Sequence, residues 1–489
     1  MNTLQILALV GAYFLLVFFV SWLASRRGAS SAEFFRGDRK SPWYVVSISM
    51  IGTSISGVTF ISVPGMVQAS AFSYLQMVLG FVLGYAAVAY VLLPLYYRMN
   101  LKSIYGWLEQ RFGMAGYRTG AGFFLLSKVL GCGVRMYLTA IVLQLVLFGP
   151  LGIPFWVNVA ATMLVVWLYT RKGGVKTLVW TDLLQTLSML AAVVLCIVFV
   201  ARTLGLDAGG LVRFVSESPD SRVWYFDDVN DTRYFWKQFL AGVFTVVAMT
   251  GLDQDMMQKN LSCKNLREAQ KNMVTYGTMF VPVNLLFLSL GVLLYAYAGT
   301  QGIAVAKPDD LFPTVACFAS LPSAVTLFFV LGLVSAAFSS AGSALTALTT
   351  TFTVDILRSD RRMDEAGLQR VRKRVHLGNA VLMAGVICLF RTIGNGSVID
   401  AVYTVASYTY GPLLGLYCFG LVSRRAVRDR WVPAVCVLAP VLCAVLSAHS
   451  EDWFGGYRFG FELLLVDALL TMLGLWVISR RAGAAIESK

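Results

Sequence analysis

The stretch LVSAAFSSAGSALTALTTTFTVDILR, residues 333–358, determines how the rest of this chain is interpreted. It is largely apolar and long enough for a membrane-spanning helix, yet it carries hydroxyl groups at Ser339, Ser340, Ser343 and Thr346. Positions 339, 343 and 346 share one face, because residues three and four apart stack along a helix. An unpaired hydroxyl is costly in hydrocarbon, so this stripe is predicted to face protein or a bound ion.

The composition of the whole chain agrees with a membrane protein. Of its 489 residues, 57% are hydrophobic and only 13% are charged, and the mean hydropathy is +0.70. A soluble protein of this size carries about 25% charged residues, so the composition argues against a soluble fold. We therefore predict an all-α polytopic membrane protein in which residues 1–489 form a single transmembrane domain.

Apolar runs of the length that a bilayer requires recur along the chain, and we predict about 13 transmembrane helices. The core is predicted at residues 42–421, with extra helices at 4–24, 431–448 and 461–479. The core spans are predicted at 42–65, 72–97, 119–148, 153–171, 177–200, 235–257, 272–298, 322–350, 375–392 and 398–421.

The formal net charge is +14, and the distribution of the basic residues relates it to membrane topology. With the N-terminus outside, 30 of the 40 Lys and Arg residues fall on the cytoplasmic side, 8 fall outside and 2 lie within a span. This asymmetry is the positive-inside rule, and it predicts a multi-pass protein of the cell membrane with a cytoplasmic C-terminus. We expect no nucleic-acid partner, whereas the basic loop at 358–374 is predicted to contact anionic membrane lipid.

Chemistry-bearing residues are sparse. The 8 cysteines show no spacing typical of a metal site or a disulfide framework, and there are only 2 histidines. No nucleophile–base pair is visible either. We therefore expect that the chain is not an enzyme.

Two spans are predicted to be interrupted. The run GTSISGVTF at 52–60 concentrates glycine and hydroxyl residues in an apolar segment, and MTGLDQD at 249–255 interrupts a second one. Small residues in a span permit close helix packing, and they also permit an unwound segment whose carbonyl groups coordinate a cation. The second interrupted span comes five spans after the first, which favours an inverted repeat of five plus five helices with a binding site at the broken helices.

Ionisable residues inside apolar segments are candidates for function. Asp182 is interpreted either as a site carboxylate or as an interfacial group paired with Lys176. Arg135 could be a structural counter-ion, with Asp182 as its partner, or it could bind a carboxylate of the solute with its planar fork. Lys128 is predicted to extend toward the cytoplasmic edge. The pair Asp253 and Asp255 is predicted to cap a helix or gate the pathway.

The order of these motifs resembles the sodium/solute symporter family, the group that includes the sodium–glucose, proline and sialic-acid transporters. The resemblance extends over most of the chain, and it implies a LeuT-like five-plus-five helix core. It is carried by FFRGDRKSPWYV at 34–45, GTSISGVTFISVPG at 52–65, WLYTRKGGVKTLVWTDLLQ at 167–185, QDMMQKNL at 254–261, AAFSSAGSALTALTTTFTVDILR at 336–358 and GPLLGLYCFGLVSRR at 411–425.

The resemblance implies one principal sodium site. Its ligands would be the carbonyl groups of Gly52, Ile55 and Ala336 and the hydroxyl groups of Ser339 and Ser340. Some members of the family hold a second sodium ion, which maps here to Asp182, Ser339 and Ser343. Because Gly342 stands where such members offer another hydroxyl, we predict one coupled sodium ion per solute.

The resemblance also implies residues for the solute, although it leaves the solute open. The hydroxyl groups of Ser54, Ser56 and Thr59 match solute-facing positions of the sialic-acid transporters. Their arginine position reads as Gly131 here, with Arg135 one turn farther on, and their glutamine position reads as Val78, with Gln76 nearby. Met249 stands where sugar-transporting members have an aromatic residue. The predicted solute-binding residues are Ser54, Ser56, Thr59, Tyr74, Gln76 and Arg135.

We thus expect a sodium-coupled secondary active symporter that imports a small polar organic solute by alternating access and functions as a monomer. Sodium is the expected coupling ion. A carboxylate-bearing solute, such as a sialic acid or another organic acid, and a neutral sugar both remain open. The alternative from another class is a solute or sodium sensor with the transporter fold. Such sensors usually carry an appended signalling domain, whereas only RRAGAAIESK is expected after the last span.

Overall fold

The computed structural model describes residues 3–25, 31–36, 39–101, 103–172, 174–393 and 398–480, and its elements are almost all helices. The main helices are α1 (Thr3–Ser25), α2 (Trp43–Ser54), α3 (Gly57–Gly65), α4 (Tyr74–Arg98), α5 (Met114–Phe148), α6 (Phe155–Thr170), α7 (Gly174–Thr203), α8 (Phe235–Gly251), α9 (Gln254–Asn260), α10 (Leu266–Thr300), α11 (Ser323–Ile356), α12 (Glu365–Ile393), α13 (Val398–Val422), α14 (Asp429–Ala448) and α15 (Leu463–Val477).

Shorter elements connect these helices. One antiparallel strand pair, β1 (Ala426–Val427) with β2 (Ser479–Arg480), joins the ends of α13 and α15. The short helices are Ser31–Arg36, Val67–Ser70, Gly106–Arg111, Ala208–Glu217, Leu311–Phe318 and Ser450–Trp453, with 3-10 turns at Pro219–Ser221, Pro308–Asp310 and Ser359–Arg361.

The all-α membrane fold predicted from the sequence is confirmed, and so are both interruptions. Helices α2 and α3 meet at a bend of 60°, and α8 and α9 meet at a bend of 71°. Each bend lies at or within a run that the sequence marked by glycine and polar residues in an apolar segment. Local chain chemistry therefore located the two broken helices before any packing was known.

Helix length supports fewer membrane spans than the 13 predicted from the sequence. Among the residues that the structure describes, nine helices are long and apolar enough to cross a membrane, or 11 if each bent pair is one span. The two other predicted spans coincide with the shorter apolar helices α6 and α15, which have 16 and 15 residues. The count of 13 is therefore not confirmed and stays a prediction.

The helices share one large apolar core. Helix α11 lies at its centre, with every side chain from Leu333 to Thr351 buried, and it packs along α7 and against both halves of the first broken helix. This placement explains why its hydroxyl stripe never meets lipid. The predicted cytoplasmic C-terminus and the basic pair Arg26 and Arg27 lie outside the described residues.

Candidate functional site

The break between α2 and α3 is two residues of extended backbone. Ile55 has φ −81° and ψ 93°, and Ser56 has φ −88° and ψ 177°. Glycine flanks the break because neighbouring helices approach there. A Cβ at Gly52 would lie 2.0 Å from Thr186 Oγ1, and one at Gly57 would lie 2.3 Å from Thr139 Oγ1.

This break leaves a group of carbonyl oxygens without helical partners. The last amide bond of α2 runs from Ile55 N to Ile51 O (2.9 Å), and the first at α3 runs from Phe60 N to Ser56 O (3.1 Å). The structure records no backbone donor to the intervening carbonyl groups at 52–55, all of which belong to its described part. Buried carbonyl oxygens without a backbone donor coordinate a cation or accept a hydrogen bond from water.

The hydroxyl stripe of α11 lies beside this break. Ser339 is fully buried, and its Oγ has no hydrogen-bond partner among the described residues. Ser340 lines a central cavity, and Ser343 Oγ donates to Asp182 Oδ2 at 3.1 Å. Thr53 Oγ1, at the end of α2, lies 3.4 Å from the same carboxylate oxygen, so α2 and α11 converge on Asp182.

These oxygen atoms are of the type that binds a sodium ion. Sodium, like other hard cations, prefers oxygen ligands; the break supplies unpartnered carbonyl oxygens and α11 supplies an unpartnered buried hydroxyl. The described residues contain no cluster of three or more His, Cys, Asp or Glu side chains that could hold a transition metal. Of the predicted sodium ligands, Gly52 and Ile55 lie at the break and Ala336, Ser339 and Ser340 lie on α11, and their role stays a prediction.

The partner of Asp182 is a residue that the sequence analysis did not name. Lys259 Nζ forms an ion pair with Asp182 Oδ2 and also donates to Thr53 Oγ1, and the side chains of Lys259 and Asp182 are 1% and 0% exposed. The proposed pairings of Asp182 with Lys176 or Arg135 are therefore corrected to Lys259. Lys259 points inward because of the 71° bend before α9. No periodicity in the sequence indicates this inward position.

The glycine at position 342 has a structural reason. A Cβ there would lie 2.1 Å from the hydroxyl oxygen of Tyr169, which donates to the carbonyl of Phe338 at 2.5 Å. A serine or threonine at this position would collide with that hydroxyl. The missing hydroxyl of α11 is thus accounted for by the packing of α6 against α11.

A central cavity of about 120 Å³ adjoins the break. Five of the predicted solute-binding residues line it, together with Ser340 of the predicted sodium site. Ser340 of the predicted sodium site therefore borders the same cavity as these predicted solute residues. The five are Ser54, Ser56, Thr59, Tyr74 and Arg135.

Gln76 does not belong to this group. It is absent from the cavity lining, and its side-chain amide binds the loop between α7 and α8, residues 204–234, called the outer loop because the basic residues predict that it lies outside. Its Nε2 donates to the carbonyl of Arg233 at 2.8 Å, while its Oε1 accepts from the amide of Tyr225 at 3.2 Å. The structure therefore does not support its prediction as a solute ligand, because its donors and acceptors hold the loop against α4.

The two cations of α5 have different environments. Lys128 forms ion pairs with Asp253 (3.1 Å) and Asp255 (2.7 Å), so it does not extend to the cytoplasmic edge as predicted. Asp253 also caps α9, as predicted, by accepting from the amide of Asp255 at 2.8 Å. By contrast, the structure records no carboxylate within ion-pair distance of Arg135 in the part of the chain that it describes.

Two tyrosines bound the cavity on the side of the outer loop. The hydroxyl oxygens of Tyr74 and Tyr403 are 2.9 Å apart, and both residues line the central cavity. Both also line a second cavity of about 430 Å³, which borders Arg233 and Asp400. The tyrosine pair thus stands between the two cavities. Tyr74 was predicted from the sequence and Tyr403 was not, because nothing in the local sequence distinguishes Tyr403 from other tyrosines in apolar helices.

Known proteins resemble this chain in sequence and in fold. The family model "Sodium:solute symporter family" matches residues 34–429. The sodium-coupled monocarboxylate transporter 2 of Homo sapiens is 27% identical over 423 residues, which is 83% of this chain and 65% of the relative. The sodium/sialic acid symporter NanT of Aliivibrio fischeri is 25% identical over 488 residues, 96% of this chain and 93% of the relative.

The chain spans just under two thirds of the length of the mammalian relatives it matches, including 63% of the sodium/iodide cotransporter of Homo sapiens, to which it is 26% identical over 82% of its own length. Two solved structures share the fold. A sodium-coupled sialic acid symporter in a substrate-bound, outward-open state has a TM-score of 0.79 at 18% identity, covering 97% of this chain and 99% of the other. The nucleobase-cation-symport-1 transporter Mhp1 has a TM-score of 0.56 at 14% identity, covering 90% and 93%.

Proposed function

The chain belongs to the sodium:solute symporter family, and from this premise we propose that it is a sodium-coupled symporter of a small carboxylate-bearing solute. Sodium would bind between the break at 52–55 and the hydroxyls of α11. The solute would bind in the adjoining central cavity, and alternating access would carry both inward. No covalent chemistry is involved.

The observation that carries the choice of solute is Arg135. Its guanidinium is always charged, it lines the central cavity, and no carboxylate pairs with it among the described residues. A charge at this depth requires an anion, and a planar guanidinium matches a carboxylate with two parallel hydrogen bonds. Relatives named for monocarboxylates and for sialic acid, both of them carboxylates, support this solute class.

A neutral sugar is the second candidate, because the hydroxyls of Ser54, Ser56 and Thr59 suit sugar hydroxyls equally well. The two solutes differ in energetics. One sodium ion crossing ~100 mV with a tenfold gradient releases about 2.3 plus about 1.4 kcal/mol, which supports roughly 500-fold accumulation of a neutral solute. With a monovalent carboxylate the two charges cancel, so only the gradient drives uptake, and accumulation is about tenfold.

The test is the replacement of Arg135 followed by uptake and binding in proteoliposomes. Lysine keeps the charge and loses the planar fork, so Arg135→Lys is expected to weaken binding of a carboxylate solute at least tenfold. The matched control is Arg213→Lys, at a residue paired with Glu217 on the outer helix Ala208–Glu217. Unchanged affinity in Arg135→Gln, or transport of a neutral sugar as the preferred solute, would overturn the carboxylate assignment.

Further aspects of the proposal rest on the sequence and on the membrane fold. We propose that the N-terminus faces the outside, because 30 of the 40 basic residues then lie on the cytoplasmic side. The basic loop at 358–374 would contact anionic lipid, and the single transmembrane domain would function as a monomer. Cysteine accessibility at Arg213→Cys, expected from the outside only, tests this orientation.

A further inference from the structure

A positive charge is already bound at the carboxylate that a second sodium ion would use. The ammonium group of Lys259 bonds to Asp182 Oδ2 and to Thr53 Oγ1, and Ser343 Oγ donates to the same carboxylate oxygen. The ammonium thus has two oxygen partners, on α7 and α2, whereas Ser343 of α11 bonds to the carboxylate. Both ionic side chains are at most 1% exposed.

We propose that Lys259 is a tethered cation that replaces the second sodium ion, so that the transporter couples each solute to one sodium ion. Asp182, whose carboxylate the ammonium binds, and Ser343, which donates to that carboxylate, belong to the set that the family resemblance assigned to the second ion. A buried carboxylate needs a compensating charge, and a lysine supplies it permanently. The proposal rests on the sodium-coupled transport proposed above, and it concerns which cation neutralises Asp182.

The lysine is held firmly in this position. Its neighbour Gln258 donates from Nε2 to Thr350 Oγ1 of α11 at 3.1 Å, and Asn260 Oδ1 accepts from Asn272 Nδ2 of α10 at 2.9 Å. All seven residues of α9 are buried. Because α9 is anchored on both sides of Lys259, the backbone that carries the ammonium is held in place beside Asp182.

Electrostatics exclude sodium from the same oxygens. Two unit charges about 4 Å apart in an effective dielectric of about 20 repel strongly enough to weaken binding about 10³-fold. The principal site is less affected, because Lys259 and Asp182 form a neutral pair whose charges largely cancel at a distance. The consequence is electrical: one sodium ion with one monovalent carboxylate moves no net charge.

Equilibrium binding of radioactive sodium to the purified full chain tests this directly, because it needs no solute. Choline chloride keeps the ionic strength constant. We expect one bound sodium ion per chain for the wild type and for Lys259→Arg. Lys259→Met leaves Asp182 unpaired and is expected to bind two. The double variant Asp182→Asn/Lys259→Met, which removes both charges, is expected to return to one.

The outcomes separate the two proposals. Two sodium ions in the wild type, or one in a folded Lys259→Met protein, would overturn the role of Lys259. If Lys259→Met cannot be isolated even in sodium while the double variant folds, sodium cannot replace the ammonium, and the inference fails as well. A wild type that binds no sodium, with a Lys259→Met protein that binds one, would support the tethered cation and refute the proposed sodium coupling.

Discussion

The clearest prediction concerns Ser339, whose hydroxyl oxygen is fully buried and has no hydrogen-bond partner among the described residues. Replacement by alanine removes this oxygen and little else. The expected effect changes sign with sodium. Without the ion, an unpaired buried hydroxyl lowers the free energy of unfolding by about 1–3 kcal/mol, so Ser339→Ala should be neutral or stabilising. With the ion, the same substitution removes a ligand.

The magnitude follows from ligand linkage. An oxygen that contacts a charged partner contributes about 1.5–3 kcal/mol, so the sodium affinity should fall roughly 10- to 150-fold. At a sodium concentration 100 times the dissociation constant, sodium stabilises the wild type by about 2.7 kcal/mol. A tenfold weaker site retains about 1.4 kcal/mol of that stabilisation, and a 100-fold weaker site retains about 0.4 kcal/mol.

The assay is thermal unfolding of the detergent-purified protein, titrated with sodium chloride against choline chloride. Ser335→Ala is the matched control, because Ser335 lies one turn earlier on α11 and also has a buried, unpartnered hydroxyl. It should match Ser339→Ala without sodium and match the wild type in the sodium titration. If Ser339→Ala is stabilised by sodium as strongly as the wild type, Ser339 is not a sodium ligand. Ser340→Ala is expected to weaken sodium binding in the same way.

Three further predictions concern packing, charge and gating. Gly342→Ser should lower the free energy of unfolding by about 1–3 kcal/mol through overpacking, whereas Gly385→Ser, with open space around it, should not, as chemical denaturation would show. Lys128→Met should destabilise by about 3–5 kcal/mol, because it leaves two buried carboxylates without their cation, and adding Asp255→Asn should recover part of the loss; no recovery would contradict the ion-pair argument. Tyr403→Phe removes the hydrogen bond between the two cavities and should speed solute release to the outer side about 2- to 12-fold without altering sodium binding, which efflux and sodium titrations would measure together.

Local chemistry fixed the broken helices and the hydroxyl stripe, and both were predictable. Glycine and hydroxyl residues in an apolar segment weaken a helix within a few residues of themselves, so the break at Ile55 and Ser56 lies within the run at 52–60. The periodicity of α11 likewise placed Ser339 and Ser343 on one face. In the structure, Ser343 on that face donates a hydrogen bond to the carboxylate of Asp182. The hydropathy pattern similarly indicated a membrane protein, whereas the orientation inferred from the basic residues stays a prediction.

The ion pair between Lys259 and Asp182 could not be predicted in this way. The two residues are 77 positions apart, and their meeting depends on the rotation of α7 and on the 71° bend that aims α9 into the core. From sequence, Lys259 counted as one of several basic residues in a cytoplasmic loop. The position of Gln76 could not be predicted either, because its hydrogen bonds to the outer loop depend on how that loop folds back onto α4.

The sequence by itself therefore determined which residues could serve an ion and a solute, because those properties are set by side-chain chemistry and helical spacing. Only the tertiary structure decided which cation neutralises Asp182, why position 342 is glycine, and that Arg135 faces the cavity without a carboxylate partner among the described residues. The physical reason is the separation along the chain over which each property is set. Spacing along a helix is fixed within a few residues, whereas charge pairing and steric exclusion depend on distances between helices far apart in the chain.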